Sequence, residues 1–207
     1  MSRPREEKYQ AILDAATEAF AEYGFFNSQI SKIAKLAGVA DGTIYLYFKN
    51  KEDILISLFQ ERMGQFINEI RQETAKCQTT QEQLMCIIRT HLRYMQENRS
   101  LAMFTQIELR QSNPDIREAI SGPLREYFQI IEQVLTEGVS KGVMVLSEVK
   151  VGRQMFFGTL DAMISDWVIS KKPRSLQGME EVVFDLMCGA FKIQDRKTEL
   201  LTKDTLN

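Results

Sequence analysis

Apolar residues recur at helical spacing along nearly the whole chain, and the two-residue alternation of strands is scarce. Ile12, Ala16, Ala19, Phe20 and Tyr23 share one helix face, and Gly24 stands where a helix end favours a residue without a Cβ. Ser28 is placed to cap a second, short helix that turns Ile30, Ile33, Ala34 and Ala37 inward and stops at Gly38. Asp41 is placed to cap a third helix of barely two turns, with Ile44 and Phe48 one above the other. Three helices in so few residues, the last two joined by a tight glycine turn, predict a helix-turn-helix unit.

Asn50 or Lys51 opens a much longer helix, periodic through Ile54, Leu58, Met63, Phe66 and Ile70 to about residue 75. The next starts at Thr79 or Thr80 and carries Leu84, Ile87, Ile88, His91 and Leu92. A break at 97–100 leads into a short apolar helix with Met103, Phe104 and Ile107. Asn113-Pro114-Asp115 combines a capping side chain, a proline for the first helical position and an acid for the first turn. That helix is expected to run to about Gly142, and two more, at about 149–170 and 175–193, flank Lys171-Lys172-Pro173.

The fold class expected is therefore all-α, with about nine helices. A three-helix helix-turn-helix domain is expected at 1–50, a second, larger helical domain at 51–193, and a polar tail, expected to fray, at 194–207. The first of the last two helices is apolar almost all round, from Val151 to Val168. One small chain has difficulty burying two such stripes, so a homodimer packed through these helices is expected.

Composition narrows the function classes. The 207 residues are 44% apolar and 26% charged, as in ordinary globular proteins, and no run is long and apolar enough for a membrane span. The N-terminus MSRPREEKYQ is unlike a signal peptide, so a soluble, cytoplasmic protein without a membrane partner is expected. The net charge is −2, with +1 on residues 1–51 and −3 on the rest, so nucleic-acid binding needs a local patch. Cys77, Cys86 and Cys188 lack metal spacing, His91 is the one histidine, and no GxSxG, Walker or GxGxxG pattern occurs. No catalytic residue, metal or catalytic cofactor is expected, and an enzyme reading would have one histidine and no nucleophile–base pair.

Residues 41–53, DGTIYLYFKNKED, carry the most specific signal. Tyr45 and Tyr47 lie two apart, so a single helix core cannot take both. With Phe20-x-x-Tyr23-Gly24-Phe25, Ile33-Ala34-x-x-Ala37-Gly38-Val39 and Gly42-Thr43-Ile44-Tyr45-Leu46-Tyr47-Phe48-Lys49-Asn50-Lys51, the first 60 residues resemble the DNA-binding domain of the TetR family of bacterial repressors. Leu46 departs from the aromatic often found there. A narrower resemblance, to the acyl-CoA-responsive, fatty-acid-degradation branch of that family, continues through Met63-Gly64-Gln65-Phe66, Thr105 to Asn113, Leu135-Thr136-Glu137-Gly138 and Arg153-Gln154-Met155.

The resemblance implies a homodimer on a palindromic double-stranded DNA operator, released by long-chain acyl-CoA as effector. With Ile44 and Phe48 inward, Thr43, Tyr45 and Tyr47 face out toward phosphates and bases, and Gly42 lets the backbone approach. Ser28, Gln29 and Lys51 stand at helix starts where a phosphate can bind, Lys32 and Lys35 lie on the second helix, and Arg3 and Arg5 form a loose arm. For the effector, Met63, Phe66, Met103, Phe104, Ile107, Phe128, Phe156, Leu160, Met163 and Trp167 are the expected lining of an apolar tunnel. Arg89, Arg93 and Arg110 are the expected partners of its polyanionic head. Most of the lining residues would equally serve a plain core. The competing regulator is a multidrug-efflux repressor sensing lipophilic cations, for which Asp161, Asp166 and Glu108 are candidate counter-charges.

Overall fold

The computed structural model describes residues 3–108 and 114–193, apart from the side chains of Arg3, Ile107 and Glu108. Nine helices and no strand occur among the described residues: α1 Arg3–Asn27, α2 Ile30–Leu36, α3 Asp41–Ile44, α4 Lys51–Thr74, α5 Thr80–Glu97, α6 Arg99–Glu108, α7 Pro114–Ser140, α8 Val149–Ile169 and α9 Glu180–Ala190. Arg110, the Asn113 helix cap and the 194–207 tail lie outside them.

Helices α1–α3 form the small N-terminal unit around Ile12, Ala16, Ala19, Phe20, Ile33, Ala34, Ile44 and Phe48, all buried. Gly24 breaks the regular path of α1 with a φ of 76°, a value that an L side chain resists. Gly38 ends α2 at φ 67°: its amide donates to Lys35 O and the Val39 amide to Ala34 O, a Schellman stop. α3 is a single turn rather than two, and its N-cap is Ala40, so Asp41 is already inside the helix. Asn50 caps α4 by accepting from the Asp53 amide at 2.8 Å, and Asp53 returns a bond from the Lys49 amide at 2.9 Å.

Helix α4 leaves this unit and packs along α5 and α7, burying Ile54, Leu58, Met63, Phe66 and Ile70. Pro123 interrupts the hydrogen bonding of α7 and leaves the Ala119 carbonyl without its usual helical donor. Gln60 of α4 donates to that carbonyl at 3.3 Å, so the proline site is tied to the long helix. α9 starts at Glu180, not near 175, because the preceding backbone is engaged elsewhere. Gln96 Oε1 on α5 accepts from the Leu176 amide at 2.6 Å and the Gln177 amide at 3.3 Å, tying the loop to α5.

Candidate nucleic-acid interface and ligand cavity

The α2–turn–α3 segment holds its shape from inside. Ile44 and Phe48 are buried, and the Tyr9 ring of α1 stacks on Phe48 at 5.3 Å. This orientation leaves Tyr45 58% and Leu46 73% exposed, Thr43 and Tyr47 half-buried, and Gly42 exposed. A Cβ on Gly42 would meet no atom within 4 Å, so nothing within the chain requires glycine there.

Tyr47 is the less free of the two tyrosines. Its ring lies 6.4 Å from that of Tyr9, and the Arg5 guanidinium sits 5.8 Å from its centre. Arg5 is therefore not on a loose arm; it belongs to the first turn of α1. With Lys8, Pro4, Leu46 and Tyr47 it borders a shallow open groove on the outer face of the unit. Neither motif nor periodicity marks Lys8, and only the packing of α1 across the α3 turn brings it here.

Two expected phosphate ligands, Ser28 and Lys51, have other work. Ser28 is 2% exposed, and its hydroxyl donates to the Ala19 carbonyl at 3.0 Å or the Gly24 carbonyl at 2.8 Å. It caps nothing, and Gln29 is the N-cap of α2 without a side-chain bond, its exposed side chain directed to solvent. Lys51 Nζ donates to the carbonyls of Phe25 at 2.7 Å, Ser28 at 3.0 Å and Phe26 at 3.1 Å, and lies 4.6 Å from the Phe25 ring centre. An ammonium has three protons, so all its donors are used. The expected phosphate clamp is instead a bolt between α4 and the end of α1. Lys32 sits over the Tyr23 ring, 3.0 Å from its centre, while Lys35 and Lys49 are exposed.

In the larger unit, α4–α8 converge on a cavity of only about 20 Å³, room for roughly one water. Met63, Phe66, Met95, Leu124 and Phe157 supply its apolar wall; His91, Thr105, Gln106, Tyr127 and Asp161 supply polar groups. The open tunnel expected from the sequence is thus closed, and among the described side chains of its proposed lining only Met63 and Phe66 reach the cavity. Phe104 stacks on Phe20 of α1 and tilts against Phe59, joining the two units. Phe156 and Leu160 are fully buried, while Met103 and Met163 are half-buried, all away from the cavity wall. Trp167 lies under the Arg99 guanidinium at 4.7 Å, and Phe128 under that of Arg153 at 4.4 Å. The backbone of Ile107 lies in α6, and its side chain is outside the described residues.

His91, on an apolar face of α5, is a packed and hydrogen-bonded histidine. His91 Nδ1 and the Tyr127 hydroxyl are 2.8 Å apart, both essentially buried. Burial lowers the His91 pKa to about 3, so the imidazole is neutral, and burial likewise raises that of Tyr127. The Phe66 ring meets both edge-on, at 5.1 and 5.2 Å. Gln106 Nε2 donates to Asp161 Oδ1 at 3.1 Å, and its Oε1 accepts from Ser165. Asp161, by sequence a candidate counter-charge, closes a link between α6 and α8.

Arg89 and Arg93 do face one open groove, about 770 Å³ in volume, along the outside of α5. Both are engaged: Arg89 with Glu181 of α9 at 3.6 Å, and Arg93 with Glu69 and with Glu97 at 3.0 Å. The bond to Glu69, above all, raises the Arg93 pKa. Lys76, Glu73 and Glu82 share the groove. No cluster of three or more metal-ligating side chains occurs among the described residues, and none of their helices is long and apolar enough to cross a membrane.

Residues 12–58 match the model of the bacterial regulatory proteins of the tetR family, and residues 59–190 that of the C-terminal region of YsiA-like proteins. The chain belongs to the TetR family of bacterial transcription regulators. It is 45% identical over 186 residues to the fatty acid metabolism regulator protein of Bacillus subtilis, covering 89% of this chain and 96% of that one. The TetR-family fold is matched by the crystal structure of FadR from B. subtilis in complex with stearoyl-CoA (TM-score 0.82, 46% identity, 86% of this chain and 97% of that one). It is matched equally by the fatty acid degradation regulator FadR from Bacillus halodurans (TM-score 0.85, 42% identity, 90% and 97%). As a TetR-family member the chain is a regulator and not an enzyme.

Proposed function

We propose that this TetR-family regulator is a cytoplasmic repressor of fatty-acid-degradation genes, bound to a palindromic operator as a dimer and released by long-chain acyl-CoA. The observation that carries the reading is the 45% identity over nearly the full length to a fatty acid metabolism regulator, with a stearoyl-CoA complex among its structural relatives. The geometry supports it at each end of the molecule. At the DNA end, Tyr45 and Leu46 are exposed on a rigid turn, and the glycine at 42 has its reason outside the chain, in close approach to a base or phosphate. Arg5 and Lys8, side by side with Leu46 and Tyr47, supply the local positive charge that a net charge of −2 demands, and Lys35 and Lys49 are exposed.

At the other end, α8 and α9 expose Val151, Met155 and Ile169 on one helix and Val182 and Leu186 on the other. Gly158 and Gly189 stand among them with open space where a Cβ would be, which permits close helix approach. Packing this face on its twin, as a four-helix bundle, sets two reading units about 34–36 Å apart or a multiple of that distance.

Sites for ligands usually measure about 300–1,000 Å³, so an acyl chain must part the helices around the small central cavity. Two of them are mechanically tied to the reading unit: α6 through Phe104 on Phe20, and α4 through Lys51 on the end of α1. Ligand therefore favours a spacing that the operator does not. Release by about 100-fold needs roughly 2.7 kcal/mol of differential affinity.

The test is a gel shift on the DNA upstream of the protein's own gene, with acyl-CoAs of graded length. Binding of long acyl-CoA without loss of operator affinity overturns the effector role. A second reading, a sensor of lipophilic cations, draws on Asp161 beside Phe66, Tyr127 and Phe157 at the cavity. Release by a cationic dye and not by palmitoyl-CoA would favour it.

A further inference from the structure

The polar groups around the central cavity are not all spent on one another. Gln106 is engaged with Asp161 and Ser165, and the Thr105 hydroxyl donates to the Ala102 carbonyl at 3.0 Å. His91 and Tyr127 differ. Each makes one side-chain hydrogen bond among the described residues, the 2.8 Å contact between Nδ1 and the hydroxyl. A neutral imidazole has one N–H and one bare nitrogen, and a phenol has one O–H. If the hydroxyl donates to Nδ1, the Nε2 proton is left over. If Nδ1 donates to the phenol oxygen, the phenol proton is left over. Either tautomer leaves the pair one donor and at least one acceptor unused.

The pair is also held in place. Phe66 of α4 meets both rings edge-on, and the Phe157 ring of α8 meets Tyr127 at 6.1 Å and 75°. Met63, Met95 and Leu124 complete an apolar wall around it. Burial keeps the imidazole neutral, and a charged partner would be costly in such surroundings. A pure hydrocarbon is no better suited, because methylene groups cannot take the spare proton.

We infer that the His91–Tyr127 pair is a specificity-determining contact of the acyl site, donating a hydrogen bond to a neutral oxygen carried by the ligand. This rests on the acyl-CoA reading proposed above. Two ligand oxygens have the required chemistry. The thioester carbonyl only accepts and would use the spare donor. A hydroxyl on the acyl chain would accept from that donor and give its own proton to the spare acceptor.

The test is calorimetric titration of the full-length protein with three ligands of equal chain length. These are palmitoyl-CoA, S-hexadecyl-CoA, in which a methylene replaces the carbonyl, and 3-hydroxypalmitoyl-CoA. If the carbonyl is the acceptor, S-hexadecyl-CoA binds about tenfold more weakly than palmitoyl-CoA. If the chain hydroxyl is, 3-hydroxypalmitoyl-CoA binds about tenfold more tightly than palmitoyl-CoA. Tyr127→Phe removes a single oxygen and keeps the ring contacts, and His91→Leu removes both nitrogens. The gap should close in at least one of the two variants. Because the gap is a ratio within one variant, a general loss of stability does not move it. Equal affinities for all three ligands in the wild type, or a gap that both variants retain, overturn the inference and leave the acyl-CoA reading standing. A wild-type protein that binds none of the three overturns the acyl-CoA reading itself, and the inference with it.

Discussion

Phe104 of α6 stacks on Phe20 of α1, with ring centres 6.3 Å apart and planes 22° from parallel. Both rings are about 1% exposed, and Phe25 and Phe59 complete the junction. The two residues following Phe104, Thr105 and Gln106, border the central cavity, so under the proposed function a ligand that widens the cavity is expected to displace the ring. Phe104→Leu keeps the site apolar and is expected to cost about 1 kcal/mol of stability. Its main effect is on coupling: palmitoyl-CoA should bind with nearly unchanged affinity yet release operator much less. Equal release by variant and wild type in a gel shift would remove Phe104 from the relay.

Lys51 offers a test of bolt against phosphate ligand. Lys51→Ala removes three bonds from one ammonium to the carbonyls of Phe25, Phe26 and Ser28, and unfolding stability should fall by about 2–3 kcal/mol. Operator affinity should drop with it, while the slope of log affinity against log salt stays the same. A direct phosphate contact would instead reduce that slope by about one.

Tyr45 and Leu46 are exposed and pack on little, so Tyr45→Ala and Leu46→Ala should each change stability by no more than about 0.5 kcal/mol. Operator affinity should nevertheless fall about tenfold or more for each, a loss of about 1.4 kcal/mol or more. Chemical denaturation and fluorescence anisotropy together decide the matter; unchanged DNA binding in both variants would falsify the reading edge.

Leu186 is 68% and Val182 54% exposed on α9, so a charge at either site leaves the single-chain core intact. Leu186→Glu should yield folded monomers in sedimentation velocity, with normal helical circular dichroism. Operator affinity should fall steeply, because in the proposed dimer each unit reads half of a palindrome. A stable dimer in this variant places the interface elsewhere.

His91 gives the protein an acid limb before ordinary carboxylates titrate. Its folded pKa, about 3, lies below the unfolded value near 6.5, so the unfolded chain takes up the proton first. The stabilisation from neutral His91 is complete above about pH 6.5 and is lost as pH falls toward 3. Between about pH 6.5 and 5 the expected loss is at most about 2 kcal/mol. His91→Asn should flatten this limb in a series of thermal melts, whatever it does to stability at neutral pH.

Helical periodicity, glycine stops and the 41–53 stretch made the architecture legible along the chain, down to Ile44 and Phe48 as the inner face of the reading turn. Those features are local: a 3.6-residue period or a left-handed glycine is written within a few neighbouring positions. The exposure of Tyr45 was readable for the same reason, since the inward positions of one short turn leave the others outside.

Side-chain partners distant in sequence were decided by the tertiary structure. Lys51 reads as a cation at a helix start and gains its role from carbonyls more than 20 residues away. Ser28 has the chemistry of a cap and spends its hydroxyl on α1. Phe104 and Phe66 are alike in periodicity, yet one joins the two units and the other walls the cavity. Periodicity says that a side chain faces inward, and only the packing of helices against each other settles which residue it meets. The cavity's polar ring, from His91 and Tyr127 to Gln106 and Asp161, comes from four different helices and so has no spacing in the sequence by which to be found.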